Sequence, residues 1–416
     1  MKKIHPLILS VLMILLLLSG LGPLFAETSA EVYGLRIGEI EISGNTRTRD
    51  RTILRIGRVE TGEILGPGTI TRLEDNLIKS GLFARSSVGV EALPDRTVRL
   101  AIEVEEKWTL LPIPVFFSDG DSIMGGVVVI ESNLAGTAKQ LISGVMGGTD
   151  GLSGFAVYVD PAVRQSSWKI TVSGGAGTQE EEIDTPDGEF AYLIQGESLS
   201  ASFGLGYAFD ERLEIGGRVR IQDYIADTIE GISLPADTYL EQQFSLQGRW
   251  DTTRPYGALL RGIDVLLESG ILFQSAEVIH RGTAAWFVPT AAGQRLRLLL
   301  QGGYGEKPFY LEDPVSGRDG FRTLPFGKAT ADDYISVSAG YDVPVLERSW
   351  GALVLTGFYE LGWYSASYVG SHLFQGPGGG FRVYLQKVAV PALGLDLAYN
   401  LESDALVFSV ALGMRM

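Results

Sequence analysis

The chain of 416 residues contains no cysteine and only three histidines. Without cysteine there is no disulfide framework, no thiolate metal site and no lipid-modified cysteine anchor. No thiol can mispair, so the chain tolerates an oxidising compartment. Positive charge is also short. Lys and Arg number 34 against 50 Asp and Glu, a net charge of -16. A duplex nucleic-acid partner wants clustered cations, so that class of partner is excluded. Of the histidines, only His280 and His372 lie beyond the N-terminal leader described next. Hydrolytic catalysis of the Ser/His kind has no grouped motif to rest on. Neither a metal nor a cofactor is expected. The glycines at Gly376 and Gly378–Gly380 lack the strand–helix context of a nucleotide site.

What is present begins with a leader. Lys2 and Lys3 precede an apolar run over 6–25, with "LMILLLL" at its heart, and small residues follow at Ala26 and Ala30. This is the pattern of a secretory signal peptide over 1–26. A retained membrane helix is the alternative, because a run of about 18 residues is long enough to span.

Residues 32–107 read as a small mixed domain. "LRIGEIEISG" alternates with a slip at Gly38-Glu39. "TRDRTILRIG" suits a short helix with a glycine stop. "GTITRLEDNLIKSGLF" places Ile70, Leu73, Leu77 and Ile78 at helical spacing, with Gly81 in the C-cap position. "SSVGVEAL" and "TVRLAIEVEEKW" are two more strands joined by "PDR". The order is β-α-α-β-β.

From 108 to 416 the period changes from helical to two. "YISVSAGYDVPV" puts Ile335, Val337, Ala339, Tyr341 and Val343 on one face and Ser336, Ser338, Gly340 and Asp342 on the other. "LGLDLAYNL" sets Leu393, Leu395, Leu397 and Tyr399 against Gly394, Asp396, Ala398 and Asn400. About sixteen such strands are expected, the first near Trp108 and the last near Ala405. An even number of roughly ten-residue alternating strands marks a transmembrane β-barrel. A set of soluble sandwiches would also alternate, but loop lengths separate the two. The long connections, near 177–197, 223–240, 305–333 and 364–378, are all odd-numbered, and the even ones are short. Barrels of the outer membrane have long external loops and short periplasmic turns. Trp108, Trp168, Trp250, Trp286, Trp350 and Trp363 fall near strand ends, as an interfacial girdle requires. The fold class is therefore a sixteen-stranded barrel behind one small α+β domain, with that domain in the periplasm.

The eleventh connection holds "DGFRTLPFG". It is external, and long enough to fold back into the lumen. Its Arg322 is either solvated or, in a dry lumen, paired with a carboxylate, since a buried charge left alone costs several kcal/mol. Strand parity nominates Glu360 of "GFYELG" first and Asp342 second. The first barrel strand, "WTLLPIPVFF", carries Pro112 and Pro114. Two residues apart, they remove donors on the same side of the strand. If that side meets the last strand, at Phe408, Val410 and Leu412, the barrel has a weak seam.

These features together resemble the BamA/TamA superfamily, whose members carry periplasmic POTRA domains before a sixteen-stranded barrel. "FRTLPFG" (Phe321, Arg322, Thr323, Leu324 and Gly327) resembles the family's lumen-loop motif, with Thr323 at its glycine and Leu324 at its aromatic. The resemblance implies that Arg322 enters the lumen and pairs with acidic residues of the next two strands, Glu360 among them. "GNTRT" and "KSGLF" resemble POTRA signatures. "ESNLAG" and "DTTRPYG" resemble family segments after the second and eighth strands. The implied function is assembly or translocation of outer-membrane proteins by β-augmentation at the seam. A dedicated secretion pore for one partner protein is the alternative. The implied partners are unfolded client proteins, periplasmic chaperones or accessory proteins, and outer-membrane lipid.

Overall fold

The computed structural model describes residues 32–416 apart from 119–122, 150, 185–189, 232–237, 291–292, 308–311, 316–319, 325–328, 367–369, 390–391 and 413–416. The leader, 1–26, lies outside the described residues.

The N-terminal domain has β1 (Arg36–Ser43), α1 (Asp50–Gly57), α2 (Thr69–Lys79), β2 (Phe83–Ala92) and β3 (Thr97–Glu106). This is the expected β-α-α-β-β order. The sheet runs β1-β3-β2, with β1 parallel and β2 antiparallel to β3. The slip at Gly38 is a register shift between Ile37 and Glu39. Alternate residues of β3, Val98, Leu100, Ile102 and Val104, are buried against Ile53 of α1 and Leu73 and Leu77 of α2. The helices are marginal alone, so packing of these apolar faces holds them. Gly57 lets the helices approach, since a Cβ there would meet Leu73 Cγ at 3.1 Å.

The barrel follows: β4 (Leu110–Ser118), β5 (Ile123–Leu134), β6 (Lys139–Gly148), β7 (Gly151–Asp160), β8 (Trp168–Asp184), β9 (Phe190–Ala208), β10 (Leu213–Glu230) and β11 (Thr238–Asp251). The short β12 (Arg254–Tyr256) precedes β13 (Leu259–Leu272), β14 (Val278–Pro289) and β15 (Arg295–Tyr304). Two short strands of the eleventh connection, β16 (Asp313–Pro314) and β17 (Thr330–Ala331), pair with each other. Then come β18 (Asp333–Arg348), β19 (Gly351–Ala366), β20 (Gly370–Leu385), β21 (Ala392–Asn400) and β22 (Ala405–Leu412). Setting β12, β16 and β17 aside leaves sixteen barrel strands, each antiparallel to the next. The order runs on from β22 to β4, although among the described residues no residue-to-residue register links those two.

Period two is visible in the burial. Along β18, Tyr334, Ser336, Ser338 and Asp342 are buried while Ile335, Val337 and Tyr341 face outward. The inside is polar and the outside apolar, the arrangement of a barrel in lipid. Trp108, Trp168, Trp250, Trp286 and Trp350 all lie at the end nearer the N-terminal domain, exposed on the outside.

Three of the four long loops expected from the sequence are largely strand. β8 runs to Asp184 and pairs with β9 from Phe190, β10 reaches Glu230, and β19 and β20 pair as far as Ala366 and Gly370. The polar stretch "TQEEEI" contains none of the usual turn residues, so the ladder continues beyond the apolar belt. Only the eleventh connection, between β15 and β18, is a true long loop among the described residues.

The two domains meet where two of the resembling segments meet. In the N-terminal domain, Thr52 Oγ1 and the Arg49 amide donate to the Gly136 carbonyl, at 2.9 and 3.1 Å. Asn133 Nδ2 donates to Thr48 Oγ1 at 2.8 Å. Gly136 has φ +71, and a Cβ there would strike the Arg47 carbonyl. Lys79 of α2 pairs with Asp251 at 3.1 Å. The segment before α1 is clamped by Glu106, whose carboxylate accepts from the Thr46, Arg47 and Thr48 amides at 2.9, 2.9 and 2.6 Å.

Partial burial pushes the Glu106 carboxyl up, but the hydrogen bonds from Thr48 and Thr46 outweigh it and hold the group at about 2, below its ordinary 4.5. The folded value is the lower one, so the clamp's contribution is complete above pH 4.5 and is lost as pH falls through about 2. Amide exchange at Thr46–Thr48 should stay slow, after correction for intrinsic rates, down to about pH 4 and accelerate below it. Glu106→Gln should give fast exchange already at neutral pH; equal protection in the variant would contradict the assignment.

Candidate functional site

The eleventh connection folds into the lumen, and its aromatic residues explain how it is held. Phe321 is fully buried against Tyr334 of β18 and Phe374 of β20, with ring centroids at 5.6 and 5.2 Å. Leu324, Val315, Ala329, Ala331 and Tyr364 complete this apolar cluster inside an otherwise polar lumen. Gly327 lies outside the described residues.

Arg322, only 2% exposed, lies beside this cluster. Its Nε donates to Glu360 Oε1 at 2.7 Å, and its own amide donates to Glu360 Oε2 at 2.7 Å. The Gly320 amide donates to the same carboxylate at 3.1 Å. One side chain of β19 thus binds both the charge and the backbone of the loop tip. Nη2 reaches Ser338 Oγ on β18 at 3.2 Å, and Nη1 reaches Asp396 Oδ2 on β21 at 3.4 Å. The guanidinium lies over the Phe358 ring, 3.4 Å from its centroid. The Thr323 carbonyl accepts from Asn400 Nδ2 at 3.1 Å. The loop tip is therefore tied to β18, β19 and β21.

Asp342, the second expected partner of Arg322, is engaged elsewhere. It accepts from Arg295 Nε at 2.6 Å, and Arg295 in turn lies over Phe287. The second carboxylate at Arg322 is Asp396 instead. The reason is height along the barrel: Ser338, not Asp342, is the β18 residue opposite Glu360 in the ladder. Asp396 is shared with Arg382 of β20, which binds both its oxygens at 2.7 and 2.6 Å. Sequence reasoning placed Asp396 on the polar face of its strand but did not single it out, and it missed Arg382. The signal was the matching parity of the two. The glycines of β20 make room for the group. A Cβ at Gly380 would strike the Asp396 carboxylate, and one at Gly378 the Phe358 ring.

At the expected seam, the Ser132 amide donates to the Thr109 carbonyl at 3.1 Å, so the backbone of residue 109 faces β5. The Trp108 amide donates the other way, to the Lys387 carbonyl at 2.8 Å. The β4–β5 register is unbroken from Leu110 to Ser118, so alternation turns residues 112 and 114 away from β5. Pro112 and Pro114 thus lack donors on the side toward β22, and both rings are exposed on the outer face. Phe408 also faces outward. The Val410 and Leu412 side chains lie outside the described residues; their backbones pair with Leu395 and Leu393 of β21. His280 faces outward on β14, and His372 lies beside Tyr364, 5.6 Å between ring centroids.

Removing one partner of a buried ion pair costs about 3–5 kcal/mol, because the other charge is left unpaired. Arg322→Ala or Glu360→Ala should each lower the temperature at which the folded barrel loses its heat-modifiable gel mobility. The double variant should be less damaged than the sum of the two, a coupling of about 1–3 kcal/mol in a double-mutant cycle. Strict additivity would contradict a direct pair.

Comparison with known proteins follows the same division of the chain. Residues 35–107 match the POTRA family model, described as a surface antigen variable number repeat. A curated relative, the outer membrane protein assembly factor BamA of Neorickettsia risticii (strain Illinois), is 23% identical over 208 residues, 49% of this chain and 27% of that protein. The chain thus matches little more than a quarter of that relative's length. Among solved structures, BamA of Haemophilus ducreyi lacking POTRA domains 1–3 aligns with a TM-score of 0.55 at 12% identity, over 90% of this chain and 84% of that one. CdiB of Acinetobacter baumannii aligns with a TM-score of 0.59 at 14% identity, over 91% and 73%. CdiB of Escherichia coli gives 0.53 at 12%, over 100% and 98%. The structural likenesses speak for the fold, and the family model for a POTRA domain over residues 35–107. Residues 35–107 are thus a POTRA domain, and the chain as a whole is similar to POTRA-containing, BamA/TamA-like β-barrel proteins.

Proposed function

We propose that the protein assembles or translocates outer-membrane proteins, receiving client strands at the junction of β4 and β22. Its barrel spans the outer membrane and its POTRA domain lies in the periplasm. The observation that carries this reading is the pair of prolines whose missing donors are directed away from β5. Each absent ladder bond removes about 1 kcal/mol of net stabilisation. A junction short of two bonds opens more readily than its neighbours. An opened β4 edge offers unpaired carbonyls to an incoming strand, which is β-augmentation. No nucleophile, metal or cofactor is needed.

A second reading, a secretion pore for one partner protein, draws on the loop. A plug held by ion pairs and one small apolar cluster in a polar lumen is displaceable as a unit, leaving a path through the barrel.

Depletion of the protein, followed by quantitative proteomics of the outer membrane, separates the two. A broad fall in many barrel proteins is expected for the assembly reading. Loss of one secreted protein with other barrels unchanged would overturn it in favour of the pore. Pro112→Val with Pro114→Val restores both donors. On the assembly reading it should slow client insertion by about thirtyfold while leaving the protein's own folding intact, two restored bonds of about 1 kcal/mol each adding about 2 kcal/mol to the barrier. Unchanged insertion would remove the seam from the mechanism.

A further inference from the structure

Between α1 and the barrel rim lies a cavity of about 590 Å³ that the seam and the plug do not use. That is within the usual size of a small-molecule site. Arg49, Arg51 and Arg55 line it from the POTRA domain, Lys139 from β6, and Arg164 from the turn after β7. Five cations gathered on a protein of net charge -16 run against its overall balance. Two of them have partners: Lys139 pairs with Asp160 at 3.0 Å, and Arg55 Nη2 donates to the Thr137 carbonyl at 3.3 Å. Among the described residues, Arg49, Arg51 and Arg164 make no ion pair, and Asp50 accepts instead from Asn45.

The cavity's position identifies its ligand. Along β6, Lys139 shares a face with Leu141 and Val145, which are exposed at 36% and 61%. These apolar residues point to lipid. Tyr158, another lining residue, stands opposite Leu141 in the β6–β7 register. The cavity is thus at the foot of the lipid-facing wall. Outward Trp108 and Trp168 mark the same rim, and the Arg47 guanidinium is 5.3 Å from the Trp108 ring. Interfacial tryptophans lie at the depth of lipid headgroups.

We infer that this cavity binds the phosphate of an anionic phospholipid headgroup in the leaflet on the POTRA side. Guanidinium groups grip phosphate with paired N–H donors, and clustered basic residues at a membrane surface select anionic lipid. The bound headgroup would bridge α1 and the barrel, fixing the POTRA domain against the membrane. The inference rests on the barrel spanning a bilayer and not on which client the protein handles.

The full-length protein, purified in detergent, is offered phosphatidylglycerol or phosphatidylcholine, with and without inorganic phosphate, and retained lipid is read by native mass spectrometry. Phosphatidylglycerol should be retained preferentially, and millimolar phosphate should not displace it. The triple variant Arg49→Gln, Arg51→Gln, Arg164→Gln should retain it at least about tenfold less well, and the matching triple Lys variant should keep most of it. Heat-modifiable gel mobility checks that each barrel is folded. Arg164→Glu alone, on an exposed turn, should weaken retention in the same direction if the triple variant fails to assemble. Equal retention of both lipids, or no change in these variants, would overturn the inference. Full displacement by phosphate would mark a site for small free anions and overturn it too. Loss of binding to an acidic client peptide with lipid retention unchanged would do the same.

Discussion

A guanidinium with almost no access to water must find carboxylates, and in this barrel everything around the lumen loop is arranged by that need. Arg322 takes Glu360 from β19 and Asp396 from β21, and Asp396 is oriented by Arg382 from β20. Glu360 also accepts the amides of residues 320 and 322. The same carboxylate therefore sets both the charge and the path of the chain. Without it, the two buried amides and the Nε of Arg322 would lose their acceptor at once, and the cation would keep only its longer contact to Asp396 among the carboxylates named. A low-dielectric site makes such networks strong when complete and costly when broken.

The apolar cluster gives the loop its anchorage but not its register. The contact of Phe321 with Tyr334 and Phe374 is apolar and non-directional, whereas the charged hydrogen bonds fix direction as well as distance. Glycines on the facing strand follow from this. Gly378 yields space to Phe358, which supports the guanidinium, and Gly380 yields space to Asp396. Side chains at those positions would force the loop, or the strand, to move. The network reaches β21 through Asp396, and β21 is hydrogen-bonded to β22, the strand next to β4 in the barrel order.

Strand number, strand parity and the two-domain division were legible in the sequence, because period two and helical spacing report which side of an element is buried. The inward turn of Glu360 followed from the same parity. Choosing between Asp342 and Asp396 did not, because parity gives the face and not the height along the barrel. Height depends on the stagger between strands, which only the ladder reveals. The ends of β8 and β10 were misjudged for a related reason. Glu180, Glu181 and Glu182 read as loop by polarity, yet their backbones remain paired with 193–195. The cationic cavity was invisible for a third reason. Its residues come from three separate stretches, 49–55, 134–139 and 158–165, and the docking of residues 48–55 on 133–137 brings them together.

The domain junction and the loop tip use the same device: one carboxylate accepts several donors from a short segment, Glu106 from residues 46–48 and Glu360 from residues 320–322. The most direct test of the latch is single-channel recording in planar bilayers of the wild type, Glu360→Gln and Asp396→Asn. A mostly closed wild type is expected, with long-lived large openings in Glu360→Gln and Asp396→Asn between them. Identical conductance and open times in all three would show that the charges around Arg322 do not hold the loop in the lumen.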